Sequence, residues 1–232
     1  MFLHASIQCF FQLIVLLLCG IFLFAEKSIA DPLLNTDDAS IVAAHRCQLE
    51  TSYTFMKSGA DAYQVSPACN LGQNVEVALA YHAVQAPEKT DGYSVQAKTM
   101  LKSMDEHWGL ASSLRFTQEK PAGQPSQQEW FLNLPASFNL IENRLGMNMN
   151  LGYQHSESQS DLVLWGVSTH YSFNERFDVT AETFNQDHQA PFIQTAAHYS
   201  LIPNTLTLEV AVGERLHAFR QRWFGLGLSF TP

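Results

Sequence analysis

Residues 222–230, RWFGLGLSF, decide the fold. Phe224, Leu226, Leu228 and Phe230 are apolar at every second position, with Gly225, Gly227 and Ser229 between them. Successive side chains of a strand point to opposite faces, so one face of this segment is oily and the other small and hydrophilic. The same period recurs along most of the chain. Val163, Trp165, Val167 and Tyr171 alternate with Gly166, Ser168 and His170, and Leu206, Leu208, Val210 and Val212 with Thr207, Glu209 and Ala211. Carboxylates, histidines and amides fall on the face away from the apolar stripe, more of them than a dry core could satisfy with hydrogen bonds. An oily exterior around a wet interior is what a barrel standing in lipid requires.

Twelve segments carry the pattern, beginning near Arg46, Ala62, Val75, Tyr93, Trp108, Trp130, Met147, Val163, Asp178, Ile193, Leu206 and Arg222. Most have about the 9–11 residues that cross the hydrocarbon at a tilt. Pro67 cannot donate to a ladder and is expected to end the second strand or mark a bulge. The longer polar connections are expected over residues 84–92, 118–128 and 214–221. Tyr53, Tyr81, Trp108, Trp130, Tyr153, Tyr171 and Tyr199 fall near strand ends, where interfacial girdles belong. The fold class read from the sequence is all-β: a closed antiparallel up-and-down transmembrane β-barrel of about twelve strands. A soluble lipocalin-like barrel or sandwich shares the alternation but not the wet inner face.

An apolar stretch from Phe10 to Ala25, followed by Ser28-Ile29-Ala30, reads as a signal peptide cleaved after Ala30. At roughly 16 residues it is short for a transmembrane helix. The expected organisation is a signal peptide over 1–30, an N-terminal periplasmic segment over 31–45 and the barrel over 46–232. A net charge of −9 argues against a nucleic-acid partner.

Cys47 and Cys69 flank a hairpin that turns at Lys57-Ser58-Gly59. That turn sets Tyr53 opposite Tyr63, Thr51 opposite Val65 and Cys47 opposite Cys69, which is compatible with a disulfide in an oxidising compartment. No CxxC or HExxH spacing is present, and no metal or cofactor is expected.

The face turned from lipid carries Glu76, His82, Lys98, Arg115, Asn148, Asn150, His170, Asp178, Glu182, His198 and Glu209. These are the candidate lumen and solute-binding residues. Acidic groups along a water path favour cations, so the first expectation is a small pore or solute-binding transport protein for a polar or cationic solute. The alternative is a sealed structural or adhesive barrel, its interior filled by these same side chains.

The chain resembles bacterial outer-membrane β-barrels, and its last strand is similar to the C-terminal signal read by the barrel-assembly machinery. The usual signal ends on the aromatic residue, whereas Thr231 and Pro232 follow Phe230 here. Asp37-Asp38-Ala39 through Cys47-Gln48-Leu49-Glu50, with Pro67-Ala68-Cys69-Asn70, is also similar to a group of uncharacterised proteobacterial envelope proteins. The resemblance implies the Gram-negative outer membrane, with lipid and the assembly machinery as partners. Some such barrels are lipid hydrolases with a Ser and a His on one strand. The pairs Ser168/His170 and His198/Ser200 raise that second, less favoured alternative, but the expected topology points both into the lumen rather than toward lipid.

Overall fold

A computed structural model describes residues 32–72, 74–85, 89–142 and 144–232. The expected signal peptide lies outside the described residues. Twelve strands are present among those described: β1 (Cys47–Met56), β2 (Asp61–Asn70), β3 (Val75–Val84), β4 (Thr90–Lys102), β5 (Trp108–Pro121), β6 (Gln127–Ile141), β7 (Leu145–Ser156), β8 (Leu162–Asn174), β9 (Phe177–Phe184), β10 (Phe192–Ile202), β11 (Leu206–Arg215) and β12 (Ala218–Phe230). Each pairs antiparallel with its neighbours in sequence, and β1 closes on β12 with Tyr53 opposite Leu226 and Phe55 opposite Phe224. Closure leaves no open edge, which a sheet in hydrocarbon cannot tolerate.

Leu151, Trp165, Val163, Leu226 and Leu228 all point outward and are exposed, which fixes the sidedness. Charged and amide side chains such as Glu76, Lys98, Glu182, Gln194, His198 and Glu209 are buried in the interior instead. Exposed aromatics form two belts. Tyr53, Tyr93, Trp130, Tyr153 and Trp165 ring one end, and Trp108, Tyr171, Phe173, Tyr199 and Phe230 ring the other. The second belt marks the end at which β1 starts and β12 finishes, the terminal end; the first belt marks the far end.

The hairpin register of β1 and β2 is Tyr53 with Tyr63, Thr51 with Val65 and Cys47 with Cys69, and the two cysteines are bonded. Pro67 neither ends β2 nor bulges it. It pairs opposite Leu49 on β1, while the β2–β3 ladder skips from Val65 to Ala68. Pro135 behaves alike, opposite Asn150 on β7 at a gap in the β5–β6 ladder. In each case the missing N–H falls on one side of the strand only, and the strand runs through.

The polar connections are shorter than the sequence suggests. β5 runs to Pro121 and β6 starts at Gln127, so the expected loop over 118–128 shrinks to residues 122–126. Likewise β4 starts at Thr90, and β11 and β12 meet in a turn at residues 216–217 that replaces a loop over 214–221. The reason is physical. Beyond the lipid both faces of a strand are wet and alternation disappears, yet ladder pairing continues through Asp91 with Lys120, Gln118 with Gln128 and Glu119 with Gln127. Near the terminal end, four hairpins carry a register shift: β4–β5, β6–β7, β8–β9 and β10–β11.

Candidate functional site

Residues 32–45 do not join the sheet. These residues, within the segment expected over 31–45, run through the lumen, held by side chains of β2, β3, β4, β6, β7, β9, β10 and β11. Thr36, Ala39 and Val42 are buried there. The last strand shows how the wall makes room. A Cβ added at Gly227 would come within 2.8 Å of Pro32, one at Gly225 within 2.7 Å of Leu33, and one at Gly166 of β8 within 2.6 Å of Thr36. The small residues that open the sequence reading are the bed on which this segment lies.

Its backbone is satisfied by lumen side chains, as any backbone away from bulk water must be. Glu209 accepts the Leu33 N–H at 3.1 Å, and Gln194 donates to the Leu33 carbonyl at 2.8 Å. Glu182 accepts the N–H groups of Asn35, at 3.1 Å, and Thr36, at 2.9 Å. Asn150 grips Asp37 at both ends, accepting its N–H at 2.9 Å and donating to its carbonyl at 2.6 Å. Ser137 accepts the Ala39 N–H at 2.8 Å. Lower down, Glu76 accepts the Val42 N–H and Asn70 donates to the Val42 carbonyl, both at 2.7 Å. Lys98 adds a buried ion-pair cluster, its Nζ 2.8 Å from Asp37 and 3.4 Å from Asp38. The main chain then leaves the lumen beside the disulfide, where His45 donates to the Asn70 carbonyl and Asn70 to the Arg46 carbonyl, each at 2.9 Å.

The structure therefore divides the eleven candidate lumen residues into three groups. Glu76, Lys98, Asn150, Glu182 and Glu209 hold the N-terminal segment directly, and Asn148 does so through Ser137, whose hydroxyl it accepts at 2.7 Å. His82 and Arg115 face the space toward the far end. His82 lies flat over Gly92, where a Cβ would sit 2.3 Å from the ring, and so reaches Glu119 at 2.9 Å. The Arg115 guanidinium stands 4.9 Å over the Phe131 ring. His170, Asp178 and His198 face the terminal end. His198 Nδ1 is 2.5 Å from Asp178, and its Nε2 is 3.3 Å from Glu209, so both ring nitrogens face carboxylates.

Sequence reasoning missed the N-terminal segment itself, along with Asn70, Ser137 and Gln194. Trp223 was missed too, although its indole N–H fixes Gln194 at 2.7 Å. One available signal was the run of lumen-facing glycines in β12, since absent side chains on an inner wall imply that something else fills the space.

Beside a small pocket of about 130 Å³ against Leu34 and Ser40, the segment separates two large cavities among the described residues. One, of about 1120 Å³, opens toward the far end and reaches down the β1–β4 wall to Gln48, Glu50 and Glu76. The other, of about 700 Å³, lies at the terminal end among His170, Asp178, His198 and Ser200. Carboxylates outnumber cations in the described lumen: Asp37, Asp38, Glu50, Glu76, Glu119, Glu129, Asp178, Glu182 and Glu209 stand against Lys98, Arg115, Arg144, Arg215 and Arg222.

At the far mouth the connection over residues 185–191 is clamped by Arg215, which donates to both Asp187 oxygens at 2.9 and 2.7 Å. This fork holds the Asp187 carboxyl below the usual carboxylate range, chiefly through the hydrogen bonds from Arg215. A depressed carboxylate stabilises above its unfolded pKa, about 3.9, and that stabilisation is lost as pH falls through the lower folded value. Amide protection of residues 185–191, corrected for the intrinsic pH dependence of exchange, is therefore expected to hold level from neutral pH down to about 4 and to fall only below it. Protection already lost at pH 6 would contradict the clamp.

Residues 20–231 match the family described as Uncharacterised conserved protein UCP029691, and the chain belongs to that family. No curated protein matches the chain. Among solved structures, the KdgM porin in complex with disordered oligogalacturonate is 11% identical with a TM-score of 0.65, covering 79% of this chain and 98% of its own. The COG4313 outer membrane channel from Pseudomonas putida F1 is 9% identical with a TM-score of 0.58, covering 88% and 100%. Outer membrane phospholipase A from Escherichia coli is 10% identical with a TM-score of 0.50, covering 88% and 94%. At these identities the likeness is one of fold, and the fold is that of outer-membrane β-barrels. It hosts pores and a lipase alike, so function has to be argued from the lumen.

Proposed function

We propose that this member of the UCP029691 family is a small outer-membrane channel that prefers cationic and polar solutes and is closed at rest by its own N-terminal segment. The terminal end would face the periplasm, as short-turned barrel ends with both termini do. One observation carries the reading: two polar cavities of about 1120 and 700 Å³ meet at a segment held by hydrogen bonds rather than by an apolar core. Such contacts exchange with water at modest net cost, about 0.5–1.5 kcal/mol each and more where a carboxylate accepts, so the segment can be released without unfolding the wall. The excess of lumen carboxylates supports cation preference. The fold shared with porins and channels supports the transport class.

Planar-bilayer recording tests this. The full mature chain is expected to give rare, brief openings. A variant lacking residues 31–45 is expected to give stable unitary steps, with a reversal potential shifted toward the cation in a salt gradient. A folded, heat-modifiable variant that never conducts would make the protein a sealed structural barrel instead. The hydrolase alternative gains no support from the site, because His198 faces Asp178 and Glu209 rather than Ser200.

A further inference from the structure

We infer that the lumen is a binding groove for extended peptide backbone, occupied at rest by the N-terminal segment as a built-in ligand, and that short peptides are the solute class of this channel. The inference rests on the channel reading above and adds the chemistry of what passes.

The contacts themselves point to it. Three residues of the segment are held at both N–H and C=O: Leu33 by Glu209 and Gln194, Asp37 by Asn150 alone, and Val42 by Glu76 and Asn70. Paired donors and acceptors at that separation read a peptide unit and ignore its side chain. Side-chain recognition of the segment by the wall is sparse by comparison. Lys98 takes Asp37 and Asp38, Gln186 donates to Asn35 at 2.9 Å, and the Asn35 amide donates to Glu182 at 3.4 Å.

The receptor groups are also tied to the wall by hydrogen bonds that do not involve the segment. Trp223 holds the Gln194 carbonyl at 2.7 Å, Asn133 donates to the same Asn150 oxygen at 2.9 Å, and Gln194 donates to Glu182 at 3.1 Å. Preorganised groups bind without the cost of ordering them. Gly166, Gly225 and Gly227 supply a trough in which a main chain lies against the wall. A sugar or a simple ion would have no use for that alternation of acceptor, donor and bare backbone. The carboxylates among the receptors add attraction for a peptide's terminal ammonium.

The test is peptide binding to the full chain carrying Lys98→Gln, which loosens the segment's side-chain anchor and leaves every backbone receptor intact. Titration calorimetry in detergent would use an unrelated neutral decapeptide, the same peptide with N-methylated amides, and an oligosaccharide of equal length. The decapeptide is expected to bind Lys98→Gln about tenfold tighter than wild type, because less competition remains, and its N-methylated form about tenfold weaker than itself. Asn150→Ala combined with Glu209→Ala, which removes two acceptors of peptide N–H groups, should narrow the difference between the two peptides. Should Lys98→Gln stay plugged, the variant lacking residues 31–45 gives the same comparison. Equal binding of all three probes, or none by the decapeptide to a barrel that conducts, would overturn the peptide inference and leave the channel standing. Absence of conductance in every variant would remove the channel reading itself.

Discussion

Valine at Gly227 and Gly166 should convert a closed barrel into a conducting one. Neither glycine has a positive φ, so the backbone accepts a larger residue without torsional strain. What a side chain meets there is the N-terminal segment: Pro32 at 2.8 Å from the first Cβ at Gly227, with Glu209 at 3.1 Å, and Thr36 at 2.6 Å at Gly166. Overpacking of this kind costs about 1–3 kcal/mol per site. The wall is a closed ladder on both sides and cannot move, whereas the segment is joined to the barrel only at residue 46. The strain therefore falls on docking. One site shifts the docked-to-released ratio roughly 5- to 150-fold, and two together by the product if they act independently. Single-channel open probability reads the shift directly, and protease cleavage within residues 32–45 gives an independent measure. If both variants leave open probability and cleavage unchanged, the segment does not occupy the lumen as described.

Arginine at Met149 is expected to have the largest effect on stability while leaving the lumen untouched. Met149 is 43% exposed on β7, midway between the two aromatic belts, and pairs with Ala136 and Val167 across the outer surface. A charge at the bilayer midplane of a barrel costs about 2–4 kcal/mol, falling to about 0–1 near the interfaces. The matched control is Val163→Arg at the far-end belt, also outward and exposed. Urea unfolding in lipid vesicles should show the first variant strongly destabilised and the second near wild type. Were the outer face covered by protein rather than lipid, both would destabilise alike.

These two results address different layers, and the layers were unequally legible. Sidedness was readable because alternation is a local property: Phe224, Leu226, Leu228 and Phe230 report their common face whatever surrounds them. The β1–β2 register was readable because a short turn fixes it, and the turn at residues 57–60 places Cys47 against Cys69 with no reference to the rest of the chain. Strand ends beyond the lipid were not readable. At Gln118 and Glu119 both faces are wet, and only pairing with Gln128 and Gln127 keeps them extended.

The candidate site was legible as a set of polar residues and illegible as a mechanism. Glu76, Glu182 and Glu209 could be assigned to the inner face by counting. Counting cannot show that each accepts backbone N–H groups rather than lining an open path.

By itself, then, the amino-acid order determined the class of fold, the orientation of each strand face and the disulfide, since all three follow from spacings of two residues or from one tight hairpin. Only the closed tertiary structure decided that residues 32–45 sit within the barrel. That segment has no period of its own, and its partners lie as far as 113, 147 and 176 positions away in sequence. Such contacts exist only once twelve strands have curved round to bring β7, β9 and β11 to face the same few peptide groups.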